Sequence, residues 1–123
     1  MKYQLYTLII EPHEDLLHPY SYLDESYLTH RVVSIENGMR SMTHKHPDLV
    51  LLSSSFSIAK ALPLLDTLKH ISQSALIPLL YVVDLTCHVS QIPGTTWGNK
   101  LGIVSTLSNS DEMHSTLDRI LSS

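Results

Sequence analysis

Short apolar runs alternate with amphipathic stretches along the chain, and polar turn-forming residues separate them. The clearest run is Leu49-Val50-Leu51-Leu52, which follows His46-Pro47-Asp48 and is closed by three serines, Ser53 to Ser55. Pro47 keeps His46 out of the helical region, and consecutive branched apolar residues are typical of a strand covered on both faces. A short buried helix could carry the same letters, but a short run between structure-breaking residues favours a central strand.

The same criteria predict four further strands. Each is a short run rich in β-branched, aromatic or aliphatic residues that ends at a polar or turn-forming residue. The predicted strands are Tyr3–Ile10, Arg31–Ile35, Ile77–Val83 and Leu101–Thr106.

Apolar residues at spacings of three and four predict helices between these strands. His13–Tyr27 is expected to be a helix with an irregular first turn at Pro19, and Glu36-Asn37-Gly38 is expected to be a turn before a short helix, Met39–Lys45. Ser57–Ser72 also has helical spacing, with its proline, Pro63, best tolerated in the first turn.

The last helix has a polar cap and acidic residues in its first turn. Asn109 or Ser110 is the predicted N-cap, followed by Asp111 and Glu112, whose charges favour a helix N-terminus. Its apolar stripe consists of Met113, Leu117, Ile120 and Leu121.

The segment Asp84–Asn99 has no comparable pattern. Pro93-Gly94 interrupts any helix that begins before it, so the sequence predicts a shortened or irregular helix there. Five strands alternating with helices predict right-handed crossovers and parallel pairing, which give a three-layer α/β sandwich. In such sheets the functional residues lie beyond the carboxyl ends of the strands.

Composition and charge exclude several classes of function. The 123 residues fit one domain, residues 1–123, and 12 acidic against 8 basic residues give a net charge of −4. Such a chain has no basic surface typical of nucleic-acid binding and no polybasic stretch for anionic membranes. Its longest apolar block, Ala75–Val83, is shorter than the ~20 residues that cross a bilayer. A lone cysteine, Cys87, and no signal-peptide pattern favour a reducing cytoplasm.

The chain resembles the receiver (CheY-like) domains of two-component response regulators in the order of its elements and in three motifs. The motifs are Asn37-Gly38, His46-Pro47-Asp48 before the apolar run, and Ile77-Pro78-Leu79-Leu80 at the start of strand four. The resemblance spans nearly the whole chain. It implies a flavodoxin-like fold with strand order 2-1-3-4-5. In that family an acidic pair ends strand one, a phospho-accepting aspartate ends strand three, a Ser or Thr ends strand four, and a lysine ends strand five.

Nearly all of these chemical positions differ in this chain. Glu11 matches the first acidic position, but Pro12 occupies the second, and Ser53 stands where the phospho-accepting aspartate belongs. An acyl phosphate needs a carboxylate nucleophile, and Mg²⁺ needs clustered oxygen ligands. The resemblance therefore implies that phosphotransfer from a histidine kinase does not occur.

The remaining two positions also depart from the pattern. Val83 falls at the hydroxyl position with Asp84 beside it, and Thr106, or Ser105 if the register slips by one, falls at the lysine position. A working receiver that uses another carboxylate, such as Asp84, is the least favoured alternative.

Other candidate chemistry has simpler interpretations. Eight histidines, four of them at 13, 18, 44 and 46, show no zinc-ligand spacing, so surface or core roles are favoured over a metal site. The serines at 53 to 55 lack the Gly-x-Ser-x-Gly pattern of hydrolases and are expected to end strand three. The acidic segment after strand one has no glycine-rich phosphate loop, so no nucleotide cofactor is expected.

The sequence thus predicts a pseudo-receiver that regulates by protein contact, without catalysis, cofactor or metal. Its partner is expected to be an unidentified signalling protein, and a homodimer stays open. The alternative is a small-ligand sensor whose pocket would be formed by Glu11, Ser53, Asp84 and Thr106.

Overall fold

A computed structural model describes residues 5–12, 27–71, 76–83, 100–105 and 109–122. These ranges contain five strands and three helices. The strands are β1 Leu5–Ile10, β2 Tyr27–Val32, β3 Leu49–Ser53, β4 Leu79–Val83 and β5 Leu101–Ser105. The helices are α1 Ile35–His44, α2 Ile58–His70 and α3 Ser110–Ser122.

All strand pairs are parallel, and the sheet has the order β2-β1-β3-β4-β5. The predicted fold class and strand order are therefore confirmed. Because the strands are parallel, their carboxyl ends lie at the same edge of the sheet. No helix in the described ranges is long and apolar enough to span a bilayer.

The central strand β3 is buried along its whole length. Its alternate residues contribute to two separate apolar clusters, one on each face of the sheet. Val50 and Leu52 pack with Met42 of α1 and Leu64 of α2. This cluster forms the layer between the sheet and the two helices α1 and α2.

The second cluster covers the opposite face. Leu49 and Leu51 of β3 pack there with Met113, Leu117 and Ile120 of α3, as the apolar stripe of that helix predicted. The three-layer arrangement follows from strands that are apolar on both sides and helices that are apolar on one side.

Asp48 joins the beginning of β3 to β1. Its carboxylate Oδ2 accepts a hydrogen bond from the backbone N–H of Tyr6 at 2.8 Å, and its own N–H donates to the Tyr6 carbonyl at 2.8 Å. The segment before β3 therefore sets the register between the two central strands as well as the start of β3.

The predicted boundaries around β2 and α1 were wrong. Tyr27 opens β2 rather than ending a helix, and β2 ends at Val32 rather than running from Arg31 to Ile35. Ile35 already lies in α1, because the Ser34 hydroxyl caps that helix by accepting a hydrogen bond from the Asn37 N–H at 3.1 Å.

The predicted turn Glu36-Asn37-Gly38 is therefore helical. Gly38 is required by packing, because a Cβ atom there would lie 2.9 Å from Ile10 Cδ1 and 3.0 Å from Leu64 Cδ1. The glycine lets α1 approach the sheet and α2, which is a different use from the turn that Asn37-Gly38 indicated.

The other elements differ less from their predictions. Ser57 caps α2, and Pro63 lies beyond the first turn, where it has no N–H to donate to the Ala59 carbonyl. Asn109 caps α3 by accepting from the Glu112 N–H at 2.9 Å. Strand β4 begins at Leu79 rather than at Ile77, and β5 is described over Leu101–Ser105, with Thr106 outside the described residues. The predictions for 13–26 and for Asp84–Asn99 lie outside the described residues.

Gly102 of β5 lies directly under α3, and its substitution tests the close approach of that helix. A Cβ atom would lie 2.6 Å from Thr116 Cγ2 and 2.9 Å from Leu80 Cδ1. We expect Gly102→Ala to lower the free energy of unfolding by about 1–3 kcal/mol, measured by urea denaturation. Thr116→Ser removes the nearest methyl group, so the double variant should lose less stability than the two single losses combined. Strict additivity would contradict this contact.

Asp48 provides a second test of the fold. Asp48→Ala leaves the Tyr6 N–H without its side-chain acceptor, and we expect a loss of about 1–3 kcal/mol in the free energy of unfolding. Asp48→Asn is the matched control, because its amide oxygen can still accept that hydrogen bond. Equal losses in the two variants would show that the charge of Asp48, rather than the hydrogen bond, supports the fold.

Candidate functional site

The carboxyl edge of the sheet is the expected position of a functional site in this fold. Strand β1 leads there into Glu11 and Pro12, β3 ends there at Ser53, and β4 and β5 end there at Val83 and Ser105. These five residues are the described members of the predicted site.

Glu11 is fully buried and its backbone is attached to the neighbouring strand. Its N–H donates to the Val32 carbonyl at 3.0 Å, and its carbonyl accepts from Arg31 Nη2 at 3.2 Å. Pro12, which follows it, is half-buried and supplies no oxygen from its side chain. The acidic pair of the receiver pattern is thus reduced to one carboxylate beneath the surface.

Ser53 is 2% exposed and its hydroxyl is already engaged in the turn that ends β3. Ser53 Oγ accepts a hydrogen bond from the Ser55 N–H at 3.1 Å, while the Ser54 N–H donates to the Val82 carbonyl at 2.9 Å. The prediction that these serines end the strand and pair its backbone is confirmed. The central strand thus ends in a hydroxyl group at the position that the receiver resemblance assigns to the phospho-accepting aspartate.

Strands β4 and β5 present apolar and neutral groups at their ends. Val83 packs against the cluster under α1 and α2, whereas Val82, which pairs with Ser53, lies in the cluster under α3. Ser53 and Val83 are therefore directed to opposite faces of the sheet by strand alternation. Ser105 pairs with Val83, so the described end of β5 also provides a hydroxyl and no cation.

Two of the predicted site residues, Asp84 and Thr106, lie outside the described residues. Within the described ranges no group of three or more His, Cys, Asp or Glu side chains could hold a metal ion. The part of the edge that is described brings together Glu11, Ser53 and neutral neighbours. This set has hydrogen-bonding capacity but no carboxylate in the position of the phospho-acceptor.

Two cavities are lined by described residues, and neither includes Glu11, Ser53 or Val83. One, of about 330 Å³, lies near the opposite end of the sheet, beside His46, Asp48 and Lys100. Its polar groups are engaged: Lys100 Nζ donates to the Leu76 carbonyl at 3.1 Å, and Asp48 holds the Tyr6 N–H.

The other cavity, of about 500 Å³, is a groove between β2 and α1. Sequence reasoning missed it, although Arg40 and His44 are one helical turn apart on α1 and Lys45 follows the end of that helix. Its lining combines cationic, imidazole, polar and apolar side chains. The lining residues are Tyr6, His30, Arg31, Val32, Val33, Asn37, Arg40, Ser41, His44 and Lys45.

Comparison with known proteins gives a match at the level of structure. No protein-family model and no curated protein sequence matches the chain. A protein designated a response regulator from Chloroflexus aurantiacus superposes with a TM-score of 0.76 at 15% identity, over 98% of this chain and 99% of that one. A CheY-like response regulator receiver domain from Methylobacillus flagellatus gives a TM-score of 0.70 at 12% identity, over 95% and 98%.

A third solved structure agrees with these two. The N-terminal domain of a response regulator/sensory box/GGDEF three-domain protein from Carboxydothermus hydrogenoformans gives a TM-score of 0.62 at 14% identity, over 95% of this chain and 94% of that one. This chain has the receiver-domain fold. The resemblance based on its sequence motifs is therefore confirmed for the fold.

The role of Ser53 as the end of β3 can be tested by truncation. Ser53→Ala removes the acceptor for the Ser55 N–H, and we expect the free energy of unfolding to fall by about 0.5–1.5 kcal/mol. Ser55→Ala is the matched control, because its side chain is exposed and its N–H is retained, so its cost should stay below about 0.5 kcal/mol. Urea denaturation of both variants measures the difference. A larger loss for Ser55→Ala would contradict the assignment.

Proposed function

We propose that this chain is a pseudo-receiver that acts in signal transduction through protein contact and without phosphorylation. The observation that carries the proposal is the state of Ser53. It occupies the end of the central strand, is 2% exposed, and its hydroxyl accepts a hydrogen bond from the turn that follows. A receiver fold with this strand end retains the scaffold of a signalling module and lacks its nucleophile.

The chemistry of receiver phosphorylation supports this proposal. A carboxylate attacks phosphorus to form an acyl phosphate, and the serine hydroxyl at this position is protonated and bonded to the following turn. Mg²⁺ is held by several oxygen ligands, and Pro12 contributes none from its side chain. The side chain of Val83 cannot donate a hydrogen bond to a phosphoryl oxygen. Each of these three positions lacks a group that the reaction needs.

The same residues support the proposal of a non-catalytic role. The described strand ends contain no activated nucleophile with an adjacent base, so binding through the surface is the activity that this scaffold supports. A signalling protein in the cytoplasm is the proposed partner, and a homodimer remains a prediction. The ligand-sensor alternative also requires Asp84 and Thr106, which lie outside the described residues, so it stays a prediction.

Phosphorylation independence is tested with acetyl phosphate and Mg²⁺, followed by intact-mass measurement. We expect no labile phosphoryl adduct on the natural chain, because Ser53 is a hydroxyl within a hydrogen-bonded turn. A receiver with the complete acidic set, treated in parallel, should carry the adduct.

The variant Pro12→Asp/Ser53→Asp is the matched control within this scaffold, because it returns both missing carboxylates to the edge. An adduct on that variant alone would attribute the loss of reactivity to these two positions. An adduct on the natural chain, at any carboxylate, would overturn the proposal. Peptide mapping would identify the carboxylate that reacts.

A further inference from the structure

The groove between β2 and α1 concentrates positive charge in an acidic protein. The chain has 8 Lys and Arg residues against 12 Asp and Glu, and three of the eight, Arg31, Arg40 and Lys45, line this groove. His30 and His44 line it as well. Among the described residues that form the lining, none is Asp or Glu. The local charge is therefore opposite in sign to the charge of the whole chain.

The cations on the α1 side are exposed and held in place by neutral groups. Arg40 Nη1 donates to Asn37 Oδ1 at 3.2 Å, and Lys45 Nζ lies 4.4 Å from the centroid of the Tyr6 ring. Both contacts orient a positive charge and neither supplies a negative one. An anionic group that enters the groove would meet cations that are already positioned, which reduces the ordering cost of binding.

Part of the groove lining is apolar. Val32 is half-buried, Val33 directly after β2 is 52% exposed, and both residues line the groove. Strand β2 is the terminal strand in the sheet order, so the groove opens outward at the edge of the sheet. A small molecule in a specific pocket is usually enclosed over most of its surface, whereas a polypeptide segment can lie in an open groove.

Both cations lie on the α1 side of the groove. Arg40 lies within α1, and Lys45 is the extended residue that caps the C-terminus of that helix. Successive side chains of an extended chain point to opposite sides. An extended segment that alternates acidic and apolar residues can therefore turn its acidic side to these cations and its apolar side to the valine surface.

We propose that this groove is the docking site for an extended, acidic segment of the signalling partner. The proposal rests on the proposed function, since it identifies the surface and the partner chemistry through which contact is made. Charge complementarity between the Arg40 and Lys45 side and the acidic segment selects the partner. Apolar contact with Val32 and Val33 adds affinity that does not depend on salt.

Two labelled probes test the docking site on the full chain. The first is a fluorescein-labelled decapeptide of alternating glutamate and valine, and the second is its glutamine–valine counterpart. Fluorescence anisotropy should show at least about tenfold tighter binding of the glutamate peptide, with the preference reduced at high salt. Amide chemical shifts should change at residues 28–33 and 40–45.

Charge reversal at two positions distinguishes binding in the groove from a general effect of net charge on binding. Arg40→Glu/Lys45→Glu should weaken binding of the glutamate peptide by about tenfold or more. Lys60→Glu/Lys69→Glu on α2 is the matched control, because both lysines are exposed, lie outside the groove and change the net charge equally. It should weaken binding by less than about twofold. Circular dichroism confirms that both variants are folded.

Several results would overturn the proposal. These are no binding of the glutamate peptide, equal weakening by the two double variants, or chemical shift changes confined to other surfaces. Displacement of the peptide by an equimolar concentration of inorganic phosphate or ATP would assign the groove to small anions. Self-association lost in Arg40→Glu/Lys45→Glu would assign it to a second copy of the chain. The acetyl phosphate result is independent of all these outcomes, so the two proposals can fail separately.

Discussion

Burial of β3 on both faces is the constraint on which the rest of the structure depends. A strand whose alternate residues enter two different cores needs apolar side chains at every position and helices on each side of the sheet. Val50 and Leu52 meet α1 and α2, while Leu49 and Leu51 meet α3. At its start Asp48 pairs with β1, and at its end Ser53 closes the turn. The central strand thus determines both the layering and the form of the functional edge.

The success of sequence analysis varies with how much of an element is buried. Strand β3 and helix α3 were predicted closely because their apolar patterns are continuous and their caps use residues of strong preference. Strand β2 was misplaced because it is the terminal strand, with Leu28 exposed and polar Thr29 and His30 in its middle. Gly38 misled the prediction for α1, since its role in close packing depends on Ile10 and Leu64, which are distant in sequence.

The carboxyl edge and the groove between β2 and α1 also differ in how well they could be predicted from the sequence. Ser53 could be singled out from the sequence, because the resemblance fixes the position of the phospho-acceptor relative to His46-Pro47-Asp48. The groove was not visible, because it is formed by residues of β2 and α1 together, such as His30 and His44. The basic residues of β2 and α1 can be placed on one surface only when the boundaries of both elements are known.

The electrostatics of the carboxyl edge and of the groove between β2 and α1 differ. At the carboxyl edge, Glu11 is buried and Ser53 is bonded to its own turn, so polar groups there serve the fold. Along β2 and α1, Arg40 and Lys45 are exposed, oriented by neutral partners and close to apolar surface. Charges that are ordered without being neutralised retain their attraction for an opposite charge. Among the described residues, exposed and ordered positive charge therefore lies beside the terminal strand of the sheet rather than at the carboxyl ends of the strands.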